Sequence, residues 1–354
     1  MKRRIISLGL VALAPFAFVN CSSNDDSVTV DQNASLYTEV LTELSLDVIT
    51  DTYEELNAKA TVLKSAVNAL TIGDETALSA VKEAWKATRS PWEQSEGFLY
   101  GPVDTGGIDP AMDTWPVDVN AMNAILNGTA AITPATLQQN QEARGFHLIE
   151  YLVWGINGNK AASALTAREI EYLKAAAQDL QNNTQILYDG WKVSGGNFSR
   201  HFILAGTTGN GGYASQKDAL EEIIDGMITI ADEVSTGKIQ TPLDEGVSQE
   251  ESRFSNNSKK DFADNMRSVK NIYLGDFNGN EGKGLTDIVS ATNSTLDAII
   301  KTKINDAIAA IENIPGTFTQ AVTNNTPAVI AARDKVTELQ TILQAQLKPF
   351  VANN

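Results

Sequence analysis

The 354-residue sequence is poor in cysteine and histidine, with one cysteine, Cys21, and two histidines, His147 and His201. A single cysteine cannot form an internal disulfide. The sequence also has no G-x-S-x-G motif, no phosphate-binding glycine loop and no Cys-His pair, so it gives no support to serine, nucleotide or thiol chemistry. A hydrolytic activity would therefore require a metal ion.

Basic residues are scarce as well. Lysine and arginine number 27 against 44 aspartates and glutamates, which gives a formal net charge of -17. Nucleic-acid binding depends on cationic side chains that displace counterions from the phosphate backbone, and a strongly anionic protein would repel that backbone. We therefore expect no nucleic acid among the partners.

No apolar run reaches the roughly 20 residues that span a bilayer. The apolar run at residues 5–19 follows a basic tip and ends just before Cys21, a pattern that predicts a signal peptide over 1–20 and lipid modification of Cys21. The alternative is an ordinary cleavage site beside an incidental cysteine. With a tether over 21–34, the prediction places the protein at the cell envelope, lipid-anchored in the outer membrane and facing the periplasm or the exterior.

The rest of the sequence has the periodicity of helices. Apolar residues recur at three-and-four spacing in runs rich in Ala, Leu, Glu, Gln and Lys, which predicts an all-α protein. A glycine-rich linker at 196–214 divides the pattern. We therefore expect two up-and-down four-helix bundles, 35–195 and 215–354, with a cleft between them.

Two helix starts have clear capping residues. Pro134 follows Thr133 as the first helical residue after its cap, and Thr166 with Glu169 has the spacing of a capping box. The expected helices are 35–70, a second from Asp74 through Trp85, then 134–155, 166–191, 215–236, 247–274, 287–312 and 327–348.

The third predicted helix carries the pattern G-x-H-x-x-E at residues 145–150, with His147 and Glu150. At i and i+3 these two side chains project from adjacent turns of one face, so they can bind one cation or each other. Trp154 lies near the same face, which favours a covered face over a solvated one. The alternative interpretation is a packed histidine held by Glu150.

A second stripe of charged and aromatic residues precedes this helix. Arg89, Trp92 and Glu96 recur at helical spacing, so an unbroken helix would align them on one face. Glu93 is either a metal ligand or the partner of a helix start capped by Ser90, whereas Glu96 has no capping role. Arg89 would neutralise these acids when no cation is present, because unpaired buried carboxylates are costly.

Two loops contain acidic residues that ordinary turns explain. The loop 101–118 carries Asp104, Asp109, Asp113 and Asp118 among glycines and prolines, where aspartate is a common turn residue. The stretch at 276–284 partly matches a calcium-binding loop but lacks its glycine and its final glutamate. We expect a plain turn there.

Three blocks of the sequence resemble the imelysin-like family and occur in the family's order. They are RSPWEQSEGFLYGPVD with DTWPVD (89–118), GFHLIEYLVWG (145–155) and ESRFSNNSKKDFADNMRSVKNIYLG (251–275). The resemblance implies a two-bundle helical fold with a cleft, in a bacterial envelope protein. The family takes its name from an insulin-cleaving membrane peptidase, while other relatives are iron-regulated or belong to iron-uptake systems.

Matched position by position, the resemblance implies His147 and Glu150 as metal ligands. Positions in the other two blocks are implied as further ligands or as residues lining the cleft. They are Arg89, Glu93, Glu96, Ser252, Arg253 and Tyr273.

The leading hypothesis is an envelope lipoprotein that binds a metal ion, iron or zinc, or a metal-linked ligand between the bundles, in iron acquisition. One alternative is a metal-dependent peptidase in which Glu150 or Glu96 assists a metal-bound water; another is a structural or adhesive module with a packed His147. Because catalytic zinc normally has three protein ligands and only two lie on the His147 helix, we expect no peptidase activity. For metal binding, His147 and Glu150 should approach each other, with Glu93 or Glu96 within a few ångströms.

Overall fold

The structure is a computed structural model that describes residues 33–354. The predicted signal peptide, Cys21 and most of the predicted tether lie outside the described residues. The fold is all-α, as expected, and the strands of the described part are β1, Asp276–Phe277, and β2, Asn280–Glu281, paired antiparallel. This hairpin lies where the sequence predicts a plain turn.

Eighteen α-helices form the described part of the chain. They are α1 Ala34–Glu43, α2 Asp51–Ala69, α3 Glu75–Glu93, α4 Pro102–Thr105, α5 Ile108–Asp113, α6 Val119–Asn127, α7 Pro134–Leu137, α8 Gly145–Trp154, α9 Ala167–Trp191, α10 Arg200–Ile203, α11 Gln216–Asp232, α12 Gln240–Glu245, α13 Ser258–Leu274, α14 Leu285–Thr292, α15 Ser294–Glu312, α16 Phe318–Asn324, α17 Thr326–Ile342 and α18 Lys348–Asn353. None of them is long and apolar enough to cross a bilayer.

Several α-helices are continued by π-helical segments, and short 3-10 segments lie between others. Three π-helical segments join α1 to α2, α11 to α12 and α17 to α18; they are Leu44–Thr50, Glu233–Ile239 and Leu343–Leu347. Short 3-10 segments lie at Glu96–Phe98, Gln141–Ala143, Ala162–Ala164 and Val247–Gln249. The segments at Glu96–Phe98 and Glu233–Ile239 carry residues of the site described below.

Two groups of four helices pack side by side. Helices α2 and α8 each pack against both α3 and α9, whereas α13 packs against α11 and α15, and α17 against α11 and α15. The groups meet where α3 contacts α13 and where Glu96–Phe98 crosses α11. At that crossing a Cβ on Gly226 would lie 2.2 Å from the Gly97 carbonyl oxygen, so glycine allows the close approach. Contacts join the described residues into one compact unit, Asn33–Asn354.

The glycine-rich segment between the two groups is packed onto the first one. It contains α10, whose Phe202 is buried and stacks on Trp191 at a centroid distance of 5.8 Å. His201 lies beside Phe198 at 4.9 Å. The boundaries 35–195, 196–214 and 215–354 remain predictions from the sequence.

The Thr166 cap forms as the sequence predicts. The Thr166 hydroxyl accepts a hydrogen bond from the Glu169 backbone N–H at 3.1 Å, and a Glu169 carboxylate oxygen accepts from the Thr166 N–H at 2.9 Å. This reciprocal pair satisfies two of the backbone donors that a helix leaves unpaired at its start. It fixes the beginning of α9, against which α8 packs.

Helix α3 runs through Pro91 to Glu93, so the alternative of a fresh start at Ser90 is wrong. A proline in the last turn removes one backbone hydrogen bond without breaking the whole helix. The Ser90 hydroxyl donates to Asp264 Oδ2 at 2.7 Å instead of capping. Glu93 is thereby free of a capping role and points into the site.

Three predicted helices are interrupted. The helix predicted over 134–155 is divided into α7, a 3-10 turn and α8, because Arg144 is extended and Gly145 has a φ of +81°. The helix predicted over 247–274 begins only at Ser258, since Ser252 and Asn256 adopt positive φ values. The one predicted over 287–312 is broken at Asn293, whose side chain caps α15.

Candidate metal centre

His147 lies completely buried on α8 and is surrounded by carboxylates. Its Nδ1 is 3.2 Å from Glu150 Oε2, and its Nε2 is 3.0 Å from Asp113 Oδ1 and 3.5 Å from Glu251 Oε1. The Trp115 ring covers the imidazole edge-on, with centroids 4.8 Å apart. His147 is therefore not packed among apolar side chains alone.

The start of α8 explains how His147 reaches Asp113. A Cβ on Gly145 would lie 2.3 Å from the backbone oxygen of Met112, and the positive φ of Gly145 is one that other residues rarely adopt. Glycine thus lets α8 begin against the end of α5, where Asp113 is the last residue. This contact brings the start of α8 and the end of α5 together, although the two segments are about 30 residues apart in the sequence.

Glu150 orients the histidine. Its Oε1 accepts hydrogen bonds from the Ser255 backbone N–H and from the Ser255 hydroxyl, both at 2.7 Å, while its Oε2 faces His147 Nδ1. With Nδ1 held by Glu150, Nε2 points toward Asp113 and Glu251. Histidine metal ligands commonly have their second nitrogen held by a carboxylate in this way.

Asp113, His147 and Glu251 form the first group that fits a metal ion. One ligand atom from each residue lies within 4.8 Å of the others. His147 Nε2 is buried and makes no well-directed hydrogen bond within the described residues, although two carboxylates are close to it. An imidazole nitrogen and two carboxylate oxygens this close together fit the donor set of a divalent metal.

Glu93, Glu96 and Asp113 form a second group of the same size. Asp113 belongs to both groups, so the predicted ligands Glu93 and Glu96 lie next to the histidine site through this shared aspartate. The Trp92 indole N–H donates to Asp113 Oδ2 at 2.5 Å and holds the shared carboxylate in place.

Arg89 is the buried cation at the centre of these acids. Its guanidinium contacts Glu93 and Asp113, lies 2.7 Å from Glu251 and 3.5 Å from Asp261. The Arg89 side chain has no exposed surface. This arrangement agrees with the expectation that Arg89 neutralises the carboxylates of the site.

Lys238 supplies the second buried cation, from the π-helical segment after α11. Its Nζ is 2.7 Å from Glu96, 3.3 Å from Glu251 and 3.4 Å from Glu93. The Asn265 side-chain amide also donates to Glu93 at 2.6 Å and to Glu96 at 2.8 Å. Neither Lys238 nor Asn265 belongs to the sequence pattern that identified the acids.

The charges of the first group are set by its own contacts. Burial alone would lower the pKa of His147, but contacts with Asp113, Glu150 and Glu251 outweigh it and raise that pKa well above the usual range. Burial would raise the pKa of Asp113 and of Glu251, yet nearby cations hold the pKa of Asp113 far below normal and that of Glu251 at about 2. The group is thus an imidazolium between ionised acids.

Other acids near the site resist ionisation. Burial raises the pKa of Glu96 well above its ordinary value, against the effect of Lys238. Burial and the charge of Asp113 raise the pKa of Asp109 to about 6, and burial raises that of Asp261 to about 6 despite Arg89. The site therefore has more carboxylate than its cations can neutralise.

A cavity of about 310 Å³ lies beside the two groups, between parts of both helix bundles. Its walls are mostly acidic or polar, with Trp115 and Pro116 as the aromatic and apolar part. Acidic residues that line it are Glu96, Asp109, Asp113, Glu233 and Glu251. The cavity is large enough for a hydrated cation and negative enough to attract one.

Of four further residues that the sequence predicts for the cleft, one lies beside this centre and three lie elsewhere. Ser252 is buried in the loop beside it, and its carbonyl accepts from the Ser255 hydroxyl at 3.1 Å. Trp154 packs on Trp85 at 5.2 Å, and the Tyr273 hydroxyl donates to Asp297 at 3.0 Å inside the second bundle, so neither is brought to the metal groups. Arg253 lies on the opposite side of its loop, in a separate pocket.

Comparison with known proteins places this chain in a family. The family model for Imelysin matches residues 49–349. Iron-regulated protein A from Synechococcus elongatus is 30% identical over 282 residues, which is 78% of this chain and 72% of that protein. The chain belongs to the imelysin family.

Two solved structures share the fold. One is described as an iron-regulated protein A precursor from Parabacteroides distasonis, with a TM-score of 0.79 and 26% identity over 90% of this chain and 95% of that one. The other is an imelysin-like protein from Psychrobacter arcticum, with a TM-score of 0.73 and 16% identity over 92% of this chain and 98% of that one.

Proposed function

We propose that this protein binds one metal ion through Asp113, His147 and Glu251, in an iron-related role at the cell envelope. The observation that carries the proposal is the convergence of these three ligand atoms within 4.8 Å of one another in a buried setting. Glu150 would hold the histidine ring, and Glu93 and Glu96 would lie in the adjacent group.

The charge balance supports a cation as the ligand. Six carboxylates of the site have almost no exposed surface, and the lysine and arginine side chains that pair with acids of this group are Arg89 and Lys238. The six carboxylates are those of Glu93, Glu96, Asp113, Glu150, Glu251 and Asp261. Since burying an unpaired carboxylate is costly, such a surplus is stable only with bound protons or a bound cation. A metal ion would supply positive charge to Asp113 and Glu251 where the imidazolium now does.

The donor set limits the class of metal. Thiolate ligands are absent from the described residues of the site, and one imidazole with several carboxylates suits iron, zinc or manganese better than a soft ion. Iron is the first candidate because two relatives carry the name iron-regulated protein A. Iron acquisition is the corresponding role for this chain, with Cys21 as its membrane anchor.

The test is metal binding by purified protein stripped with a chelator. We expect close to one equivalent of ferrous iron or zinc per chain, measured by equilibrium dialysis and mass spectrometry of the metal. His147→Ala and Glu251→Gln should each lower the affinity at least tenfold, because each removes one of the three ligands. A chain that keeps less than a tenth of an equivalent at micromolar free metal would contradict the proposal.

His201→Ala is the matched control. It removes the other histidine of the chain, which lies on α10 beside Phe198 and outside both metal groups. Its metal content should equal that of the unmodified protein. Equal losses in His147→Ala and His201→Ala would mean that the effect comes from general destabilisation or from surface binding.

A further inference from the structure

A second pocket lies on the other face of the loop that contributes to the metal centre. The loop at 250–257 turns Glu251 and Ser255 toward His147 and Glu150, and it turns Arg253 and Asn256 into a pocket of about 350 Å³. The segment that follows α8 and the start of α16 complete this pocket. Its polar lining residues are Asn157, Arg253, Asn256, Thr317, Thr319 and Gln320.

Arg253 is the one charged side chain among the residues that line this pocket. Within the described part of the chain, no carboxylate lies within 4 Å of its guanidinium, and its buried Nε makes no hydrogen bond. The nearby acid, Glu250, is occupied by the hydroxyls of Ser258 and Thr319. Arg253 acts on the buried Glu250 only at longer range, so its guanidinium keeps its hydrogen-bonding capacity for an anion from outside.

The loop holds Arg253 in a fixed position. The Ser255 backbone N–H is bound to Glu150 at 2.7 Å, and the Asn257 N–H is bound to the Ser252 carbonyl at 3.1 Å. The guanidinium lies over the Phe254 ring at 4.6 Å. Because the guanidinium already packs on this ring, binding an anion to it should cost less conformational entropy than binding to a free surface arginine.

The uncharged lining residues indicate the rest of the ligand. The side-chain amides of Asn157 and Asn256 make no hydrogen bond with other described residues, and Gln320 uses only its oxygen, which accepts from the Thr317 N–H. These amides can donate to and accept from hydroxyl groups, whereas a guanidinium matches the two oxygens of a carboxylate. No acidic residue lines the pocket, and Glu250, which contacts the lining residue Thr319, has its pKa raised by burial.

We propose that this pocket binds a small carboxylate that carries hydroxyl groups, with Arg253 holding the carboxylate. The pocket is distinct from the metal centre, since none of its lining residues belongs to either metal group. The proposal does not depend on metal binding and can be tested on metal-free protein.

The experiment is isothermal titration of chelator-treated protein with L-malate, with succinate and inorganic phosphate as comparison probes. We expect L-malate to bind, succinate to bind several-fold more weakly because it lacks the hydroxyl, and phosphate to bind more weakly than malate. Arg253→Gln should weaken malate binding at least about tenfold, as expected for the loss of a charge-assisted bidentate contact. The malate affinity of Arg253→Lys should lie between those of the unmodified protein and Arg253→Gln, because an ammonium keeps the charge but not the bidentate geometry of the guanidinium.

Arg200→Gln is the matched control. It removes the same charge from an exposed arginine on α10 and should leave malate affinity unchanged. Thermal melts of each variant establish that it is folded. The proposal would be overturned by equal malate affinity in Arg253→Gln and Arg200→Gln, or by tighter binding of phosphate than of malate. It would also be overturned if no probe bound at tens of millimolar.

Discussion

Replacing Arg89 with methionine tests how strongly the buried acids depend on their shared cation. The Arg89 guanidinium contacts four carboxylates and has no exposed surface. Methionine fills much of the same volume but leaves those carboxylates without their main counter-charge, and Lys238 reaches only Glu93 and Glu251 among them.

The magnitude follows from the cost of breaking a buried ion pair by removing one partner, about 3–5 kcal/mol in the free energy of unfolding. For a chain of this size that corresponds to a fall in Tm of roughly 4–7 °C. The loss should depend on pH. Burial holds the pKa of Asp261 at about 6 although Arg89 lowers it, so without Arg89 that pKa rises further above its unfolded value. The destabilisation from this group is therefore small near pH 5, where the carboxyl is protonated in the folded state of both proteins, and grows as the pH rises through the folded pKa.

The assay is urea unfolding of both proteins at pH 5 and pH 7.5, followed by circular dichroism. Arg200→Met, which removes an exposed arginine without an ion pair among the described residues, should change stability by no more than about 0.5 kcal/mol. Asp261→Asn combined with Arg89→Met should recover part of the loss, because it removes one of the unpaired acids. A loss below about 1 kcal/mol, or one equal at both pH values, would refute the electrostatic account.

Three further predictions concern the metal, the anchor and proteolysis. Because contacts with acids raise the pKa of His147, metal binding should release a proton and tighten with rising pH, up to about tenfold per unit; titration calorimetry in two buffers would contradict this by showing no proton release. Cys21→Ser should move the protein from the membrane to the soluble fraction, and a variant that stays membrane-bound would place the anchor elsewhere. Purified protein should not cleave unfolded polypeptide, because the Glu150 carboxylate, which would have to assist a metal-bound water, is buried and engaged by Ser255 and His147; metal-dependent cleavage that Glu150→Gln abolishes would favour a peptidase.

The sequence predicts much of the helical framework because capping and periodicity are local. Thr166 with Glu169 starts α9 as expected, and the His147–Glu150 spacing on one helix face gives their 3.2 Å contact. Arg89 was expected to neutralise nearby acids and does contact Glu93, one turn along α3. These features depend on residues no more than a few turns apart along one helix.

The remaining partners of His147 come from parts of the sequence with no local pattern. Asp113 was assigned an ordinary turn role, and Glu251 was expected inside a helix that begins only at Ser258. Lys238 follows α11 on a π-helical turn and reaches the acids only because the two bundles meet. Each is near in space and distant in sequence, so the residue types alone could not pair them. Their place in the blocks DTWPVD and ESRF was the one indication for Asp113 and Glu251.

A crystal structure of the protein soaked with ferrous iron or zinc, with anomalous scattering recorded at the metal edge, tests the central claim most directly. The account predicts a single strong anomalous peak about 2.0–2.2 Å from His147 Nε2 and from oxygens of Asp113 and Glu251. Glu150 should keep its contact with His147 Nδ1. A peak bound only by Glu93 and Glu96, or no peak in a crystal whose surface sites are occupied, would contradict the assignment of His147 as a ligand.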